Sequence, residues 1–461
     1  MIWPTADAID RTAKILIDRG MAKDPDEASQ YLGSLVLQVA VGPDLGTDPA
    51  AQAALATVVN AGHRAFQGGV HVRLDSDSNL STGWTTGMSA AEVVARFGGT
   101  VVEQLDTDRP TLAIANPGAP VGAPLLHLTW RGWSAGVVEM VADVLHGEGN
   151  VLAGIASAAL GLSEAFQQAL GDVAPGRRDV GISLWRPDED WRSNESVGPK
   201  LEYLPAALWL LGLGHLGQAY AWAVGMLSFA APQDVEIGLV DFDVVVDGNT
   251  ATQLLVRDFS VGRRKTRIVA AALESVGLRT RIVERGFDED FHTVVHANPD
   301  RNEPIIALSG FHDGPTRRLL GGAGFARIVD GGLGAGPYEY LDLVVHAFPA
   351  PEDPATAFAA QDAPATPLPT AYEEEIRRRT DAGADEAVVR CGILDVAGVT
   401  VGASFVGAFT STLVVADIVR ELHDGLRYSV VHVDLRNPSG ATAVHNAAPG
   451  LPIAPAFTRA R

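Results

Sequence analysis

The second half of the chain alternates between two hydrophobic patterns of different period. Short continuous apolar runs, typical of buried strands, are separated by stretches with the apolar spacing of packed helices. Strands interleaved with helices in this way predict an α/β fold with a doubly wound, mostly parallel sheet. The predicted strands lie within residues 207–213, 235–243, 279–287 and 303–310, and the predicted helices within 218–227 and 262–277.

One helical pattern recurs in both halves of the chain. Residues 153–170 and 402–422 each combine small residues with an apolar helix that carries one acid, Glu164 or Asp417. This indicates two related halves, although any alanine-rich packed helix gives the same pattern, so both interpretations stay open. The first half has no Gly-x-Gly-x-x-Gly of its own, and as a duplicate it would therefore be degenerate.

Two polar stretches suggest where the halves divide. Residues 188–199 are rich in turn formers and favour a linker, and residues 349–384 are rich in Pro, Ala, Thr and charge. We therefore expect a degenerate half at 1–186, a linker at 187–203 and an active half at 204–461.

Composition excludes several classes of protein. The net charge of −21 argues against non-specific nucleic-acid binding, which needs clustered cations. No apolar run approaches the ~18 residues that suggest a membrane span, and the N-terminus lacks a basic, apolar signal, so we predict a cytoplasmic protein. Cys391 is the sole cysteine, which excludes disulfides and multi-cysteine zinc sites within the chain.

A glycine loop follows the first strand of the second half. Gly212, Gly214 and Gly217 form Gly-x-Gly-x-x-Gly between a predicted strand and a predicted helix. Glycines permit the tight turn, and the N-terminus of the helix attracts phosphate. A dinucleotide, ATP, or no ligand at all is compatible with this loop. The next strand ends at Asp241 and Asp243, where a carboxylate could bind a ribose, and this does not discriminate between the alternatives.

The residues after this strand favour nucleotidyl transfer. Asn249, Gln253 and Lys265 follow in order on a loop that leads into a helix. A dehydrogenase does not need a lysine there, whereas a cation beside the α and β phosphates stabilises the charge that develops as pyrophosphate leaves. Taken alone, Lys265 could instead belong to a solvated basic face with Arg263 and Arg264.

Together these motifs resemble the ThiF/MoeB/HesA family, whose eukaryotic relatives are the ubiquitin-activating enzymes. The resemblance covers about residues 205 to 425 and implies a Rossmann-type adenylation fold. It implies that Asp241 holds the ATP ribose and that Asn249 and Lys265 contact phosphates. The matching positions are Gly212, Gly214, Gly217, Asp241, Asp243, Asn249, Gln253, Asp258, Gly262 and Lys265.

The same resemblance assigns the magnesium ligand and an arginine. Asp313 takes the place of the family's Mg²⁺-coordinating aspartate, and Arg318 that of its arginine. An Asx-turn beside Gly314 is the alternative interpretation of Asp313.

Two positions depart from the family pattern. Thr252 replaces the motif arginine, and Gly314 replaces an asparagine. Candidates to replace the arginine are Arg257, Arg263 and Arg264. The family also uses an arginine from the N-terminal side of the partner half, for which Arg192 is the candidate.

The resemblance also gives the lone thiol a function. Cys391 directly follows the segment that matches the family's crossover loop, 349–390, where some members carry a cysteine that forms a thioester. A thiolate could capture an acyl-adenylate, and Arg390 could favour the thiolate. A small buried apolar residue is the alternative interpretation, and both stay open.

The resulting hypothesis is an ATP- and Mg²⁺-dependent adenylyltransferase. It activates the C-terminal carboxylate of a ubiquitin-like protein or peptide and passes the acyl group through Cys391, with a conjugating enzyme as a further partner. The N-terminal half completes a pseudo-dimer, and a homodimer of the chain stays open. The alternatives are a peptide-tailoring or sulfur-carrier activator, an NAD(P)-dependent oxidoreductase, and a non-catalytic relative suggested by Thr252 and Gly314.

Overall fold

Two α/β sheets, one in each half of the chain, form the framework of the molecule. The computed structural model describes residues 5–118, 125–292, 305–334, 336–359, 369–448 and 456–461. The helices of the N-terminal half are α1 Arg11–Asp18, α2 Pro25–Ser34, α3 Pro49–Ala65, α4 Ala90–Arg96 and α5 Val151–Ala169. Its strands are β1 Val36–Val41, β2 Gly69–Leu74, β3 Thr100–Val101, β4 Thr111–Ile114, β5 Leu125–Arg131, β6 Ser134–Val138 and β7 Val180–Ser183.

The C-terminal half adds ten strands and seven helices among the described residues. The strands are β8 Tyr203–Pro205, β9 Ala207–Leu211, β10 Glu236–Val240, β11 Arg279–Val283, β12 Ile306–Ser309, β13 Arg327–Leu333, β14 Asp342–Phe348, β15 Tyr428–Asp434, β16 Thr442–His445 and β17 Phe457–Arg459. The helices are α6 His215–Met226, α7 Lys265–Ser275, α8 Gly314–Arg318, α9 Pro354–Ala357, α10 Thr370–Asp381, α11 Glu386–Ala397 and α12 Ser404–Glu421.

The two sheets have the same topology. The N-terminal order is β3-β2-β1-β4-β5-β6-β7, and the C-terminal order is β11-β10-β9-β12-β13-β14-β15, with β16 added at the edge. In both, the first five strands are parallel and the following pairs are antiparallel. The predicted doubly wound fold, with a first half of similar type, is confirmed. The predicted strands and helices of the second half are all present.

The central strands are buried on both faces because helices cover each side of the sheet. Four of the five residues of β9 are buried, as expected for an apolar run in a parallel sheet. The register places Leu211 beside Val240, and the amide of Gly212 donates to the carbonyl of Val240 at 2.9 Å. The first glycine of the loop therefore lies next to the end of β10.

A continuous apolar core joins the halves. Helices α3 and α5 of the first half pack against α6 and α12 of the second. Trp84 stacks on Trp222 with the ring centroids 5.7 Å apart, and the Trp222 indole donates to the hydroxyl of Thr57 at 3.0 Å. The long helices α5 and α12, which carry the recurring pattern, occupy equivalent places in the two halves. Across the described ranges, no helix combines the length and apolarity needed to span a membrane.

Two segments predicted to be irregular are more ordered than expected. The predicted linker has no helix, and only its last residue, Tyr203, belongs to a strand, but it packs on the first sheet, where the amide of Trp133 donates to the carbonyl of Val197 at 2.9 Å. The predicted crossover segment contains α9, α10 and the start of α11. In α10, Tyr372 and Ile376 are buried one turn apart, so an amphipathic helix forms there despite the polar composition.

Candidate nucleotide site

The motif residues gather at the carboxyl ends of three adjacent parallel strands. Strand β9 lies between β10 and β12, because the chain winds first to one side of β9 and then to the other. This change of direction opens a crevice beyond the strand ends, where open α/β sheets bind ligands. Gly212 follows β9, Asp241 follows β10, and the loop carrying Asp313 follows β12.

The glycine loop leaves the N-terminus of α6 open. Gly212 has φ +76°, a conformation that favours glycine. A Cβ on Gly217 would lie 1.8 Å from the carbonyl oxygen of Gly212, so only glycine lets the helix approach the strand this closely. A Cβ on Gly214 would have no described atom within 4 Å, and no side chain in the described ranges caps α6. The first amides of α6 are thus available to an anion.

Asp241 shapes the glycine loop. One carboxylate oxygen accepts the amide of Leu213 at 2.6 Å, and the other accepts the amide of Asp243 at 2.7 Å. Burial raises the pKa of Asp241, and this is opposed by nearby Lys265 and by the two amides. Its predicted contact with a ribose stays a prediction.

Lys265 lies beside Asp243 at the carboxyl end of β10. The chain leaves β10 and comes back antiparallel, with the amide of Val245 donating to the carbonyl of Arg263 at 2.9 Å. The Lys265 ammonium then pairs with Asp243 at 2.7 Å. Lys265 is buried, whereas Arg263 and Arg264 are exposed, so the interpretation of Lys265 as part of a solvated basic face is wrong.

Asn249 and Gln253 are buried, and their hydrogen bonds hold the loop that connects Asp243 to Lys265. The side chain of Asn249 accepts the amide of Val246 at 3.1 Å. The side chain of Gln253 accepts from Gln218 at 2.6 Å, and Gln218 also donates to the carbonyl of Leu213 at 3.1 Å. The motif loop is therefore tied to the glycine loop through Gln218, a residue of α6 that the motifs did not identify.

Asp313 caps a short helix at the end of the third loop. Its carboxylate accepts the amide of Thr316 at 2.8 Å, which is the hydrogen bond expected of the Asx-turn. Desolvation acts to raise the pKa of Asp313, but the hydrogen bonds from Thr316 and the nearby His312 hold it below its ordinary value. Asp313 is therefore ionised at neutral pH, which a cation ligand also requires.

The two arginines of this helix point elsewhere. Arg318 donates to the carbonyl of Phe358 at 3.1 Å. Arg317 forms a buried ion pair with Asp330 of β13, and its guanidinium lies over the ring of Phe358, 4.0 Å from its centroid. Neither contact is with the glycine loop.

The described contacts of the candidate replacements for the lost motif arginine do not include the glycine loop either. Thr252 itself is buried. Arg257 donates to the carbonyl of Arg96 in the first half at 3.0 Å, and Arg264 bonds the carbonyl of Phe242. Arg263 is exposed.

Arg192 does not reach the site from the first half, but Arg11 and Arg64 lie near enough to act electrostatically on His215, the first residue of α6. Arg192 pairs with Asp179 at 2.6 Å within its own half. Arg11 opens helix α1, whose start is anchored on the site: the amide of Gly248 donates to the carbonyl of Asp7 at 2.7 Å. Arg64 of α3 is buried beneath the loop that carries Gln253. Spacing along one chain cannot identify these residues, because nearly 150 or more positions separate them from the motifs.

Cys391 lies in the middle of α11, and its side chain is outside the described residues. Its catalytic and packing interpretations therefore both stay predictions. No group of three or more metal-ligating side chains occurs in the described ranges.

These features define a two-half α/β protein in which one half carries a nucleotide-type glycine loop. Residues 36–184 match the family model of the BilD N-terminal domain, and residues 204–425 match that of the BilD C-terminal domain. The chain is also 34% identical over 431 residues, 91% of its length and 90% of the relative's, to a protein of Collimonas sp. (strain OK412) described as "Bacterial E1-like protein BilD". The chain belongs to the BilD family. The expected resemblance is thus confirmed for the E1-like superfamily.

Two solved structures share a low level of similarity with this chain. Escherichia coli MccB is 12% identical, with a TM-score of 0.34, and the match covers 72% of this chain and 95% of that chain. MccB with MccA-N7isoASN is 13% identical, with a TM-score of 0.33, over 53% of this chain and 65% of that one.

Proposed function

We propose that this protein adenylates the C-terminal carboxylate of a ubiquitin-like protein or peptide with ATP, as a member of the ThiF/MoeB/HesA group of enzymes. The E1-like description of the Collimonas relative favours this class. The observation that carries the proposal is the uncapped start of α6 together with buried Lys265, which pairs with the exposed carboxylate of Asp243 at the same edge of the sheet. An open helix N-terminus attracts phosphate, and a buried lysine adds the charge needed for phosphoryl chemistry.

Each residue has a distinct task in the proposed reaction. The amides that follow Gly214 hold the phosphates, and Asp241 holds the ribose after giving up part of its bonding to the loop. Lys265 exchanges its contact with Asp243 for the phosphates and stabilises the leaving pyrophosphate. A carboxylate oxygen of the substrate bonds to the α-phosphorus as the bond from the α-phosphorus to the bridging oxygen breaks, giving acyl-AMP and pyrophosphate.

We propose Asp313 as the protein ligand of Mg²⁺. Its lowered pKa keeps it ionised, and the hydrogen bonds from Thr316 leave the carboxylate with further acceptor capacity. Mg²⁺ usually retains several waters and takes one or two protein carboxylates beside substrate phosphates, so one aspartate is sufficient.

Arg11 is the residue that we assign as the arginine from the N-terminal half. It sits at the first turn of α1, and its guanidinium approaches the carbonyl of Thr400 at 3.5 Å, next to the start of α12. Arginine keeps its charge even when buried, which suits a contact to a triphosphate.

The later steps involve Cys391 and a partner. The acyl group moves from AMP to the thiolate of Cys391, forming a thioester and releasing AMP, and a conjugating enzyme then receives it. A Cys391→Ser variant retains pyrophosphate exchange but forms no thiol-sensitive adduct with the modifier. Exchange that disappears in this variant would contradict the assignment of Cys391 to the second step.

ATP–pyrophosphate exchange with the partner peptide or modifier tests the proposed function. Lys265→Ala is expected to lower exchange on the order of 100-fold or more, because a preorganised charge at the leaving group is lost. Arg267→Ala is the matched control, since Arg267 is an exposed cation on the same helix that pairs with Glu284. We expect it to retain exchange.

Two outcomes would overturn the proposal. Equal exchange in Lys265→Ala and the wild type would favour the non-catalytic alternative. NADH-dependent turnover without exchange would favour the oxidoreductase.

A further inference from the structure

Two side chains of the N-terminal half form hydrogen bonds with the loop of the C-terminal half that carries Gln253. Asn60 and Arg64 lie one turn apart on α3, and both are buried. The Asn60 amide donates to the carbonyl of Leu254 at 3.0 Å. Arg64 donates to the carbonyls of Leu254 at 3.2 Å, Val256 at 2.9 Å and Thr250. The residues that receive these bonds all belong to one loop.

The loop held by α3 is the one that carries the motif. Residues 250–256 begin directly after Asn249 and include Gln253, and the amide of Leu255 donates to Gln218 of α6 at 3.1 Å. The loop is therefore fastened on one side to the helix of the glycine loop and on the other to α3. Its conformation depends on both halves of the chain.

Arg64 is suited to holding a loop by its main chain. The guanidinium offers five donors in a rigid fork, and the hydrogen bonds described for it are all accepted by uncharged oxygens, including the carbonyl of Asn60 at 3.1 Å. Removing Arg64 would leave buried carbonyls without donors, so the loop would rearrange to find others.

We propose that Asn60 and Arg64 are positioning residues for the nucleotide site. They hold residues 250–256 in the shape that presents Asn249 and Gln253, so the half without a glycine loop sets the nucleotide affinity of the other half. This inference rests on the proposed function, because it assumes that ATP binds beside this loop.

Arg178 provides the matched control. It is also an arginine of the first half that crosses to a main-chain carbonyl of the second, that of Arg436, while pairing with Glu164 at 2.7 Å. Its target follows β15, on the antiparallel side of the sheet, and not the motif loop. Arg178→Gln therefore removes a comparable contact between the halves without touching the motif.

The test combines ATP titration by calorimetry with hydrogen exchange of the full-length chain. Arg64→Gln is expected to weaken ATP binding at least tenfold and to speed amide exchange in residues 250–256 at least tenfold. Asn60→Ala, which removes one hydrogen bond to Leu254, is expected to give about a threefold change in each. Arg64→Lys restores only part of the affinity, because a lysine cannot bond three separated carbonyls at once. Arg178→Gln leaves both measurements at the wild-type values.

The inference is overturned if Arg64→Gln binds ATP like the wild type, or if Arg178→Gln weakens binding as much. If Arg64→Gln does not fold, Asn60→Ala decides, and wild-type affinity with wild-type exchange in 250–256 overturns the inference. Failure of the proposed function is separate, since there the wild type itself would bind no ATP.

Discussion

The two halves share a strand order but differ at the edge where ligands bind. In the C-terminal half, α6 starts at Gly214 with no described side chain over its amides. In the N-terminal half, the equivalent helix α3 is capped by Asp48, whose carboxylate accepts the amides of Ala50 at 2.8 Å and Ala51 at 3.3 Å. A negative charge built into the chain thus sits where the other half is open. The start of the helix that follows the first strand of each sheet is therefore open in one half and occupied by a side chain in the other.

The two halves also differ in what the residues at the carboxyl ends of their strands contact. The carboxylate of Asp48 is held in place by the indole of Trp130 at 2.9 Å, so this edge is closed by internal contacts. From the same half, Asn60 and Arg64 reach across to hold the motif loop. Loss of a ligand site on one side therefore accompanies a positioning function on the other.

Moving the cap from one half to the other is the most severe test. Gly214→Asp places a carboxylate at the start of α6, where it would occupy the amides as Asp48 does and repel phosphate. We expect ATP affinity to fall on the order of 100-fold, because charge and hydrogen bonding both oppose the nucleotide. Calorimetric titration measures the loss. Gly214→Asn has nearly the same shape without the charge, and equal losses in the two variants would contradict the electrostatic explanation.

Gly217→Ala tests the close approach of α6 to the end of β9. The added Cβ would meet the carbonyl oxygen of Gly212, so we expect a loss of about 1–3 kcal/mol in the free energy of unfolding. Urea denaturation measures it. Gly33→Ala in α2, where a Cβ meets no described atom within 4 Å, is the control and keeps or slightly increases stability. Equal stability of both variants would show that the loop is loosely packed.

The glycine loop also carries a titratable group where the first half has Pro49. Burial lowers the pKa of His215 to about 4, so the folded chain resists protonation that the unfolded chain accepts near pH 6.5. The stability contributed by neutral His215 is present above pH 6.5 and is lost as the pH falls towards 4. At pH 5 we expect wild type to lose about 1–2 kcal/mol more than His215→Asn, relative to pH 7.5. Urea curves with parallel pH dependence would contradict this.

Removing the cap of the first half should have the smallest effect. Asp48→Ala exposes the amides of α3 and leaves the Trp130 indole unpaired, so we expect a loss of about 1 kcal/mol in the free energy of unfolding. Pyrophosphate exchange should remain at the wild-type level, because Asp48 lies about three turns before Asn60 and Arg64 and has no described contact with the motif residues. Thermal unfolding and the exchange assay measure the two quantities. A tenfold fall in exchange would mean that this edge takes part in the reaction.

Much of the fold of the second half could be predicted from its sequence. Buried parallel strands such as β9 are continuous apolar runs, and the glycine loop marks the passage from strand to helix. The first half was harder, because its single recurring helix pattern is shared by many packed helices. The sequence does not predict helix α10, because Tyr372 and Ile376 are its only buried apolar side chains and the third buried residue, Glu375, is charged.

The site could be predicted only where its residues are close in sequence. After Asp243 the chain forms one loop and returns antiparallel to Lys265. Because Asp243 and Lys265 pair with each other, both partners of this contact lie within the motif. Gln218, Arg11 and Arg64 follow no such spacing, since tertiary packing brings them to the loop. Arg192, the candidate arginine of the sequence analysis, instead pairs with Asp179 of the first half.

The closed edge at Asp48 has a consequence for stoichiometry. A symmetric pair of open edges would load two nucleotides, and occupation of one could alter the affinity of the other. With a carboxylate fixed at one edge, a single chain binds one ATP in the proposed reaction, and saturation follows a simple hyperbola. Each catalytic cycle of the chain then consumes one nucleotide and activates one acyl group.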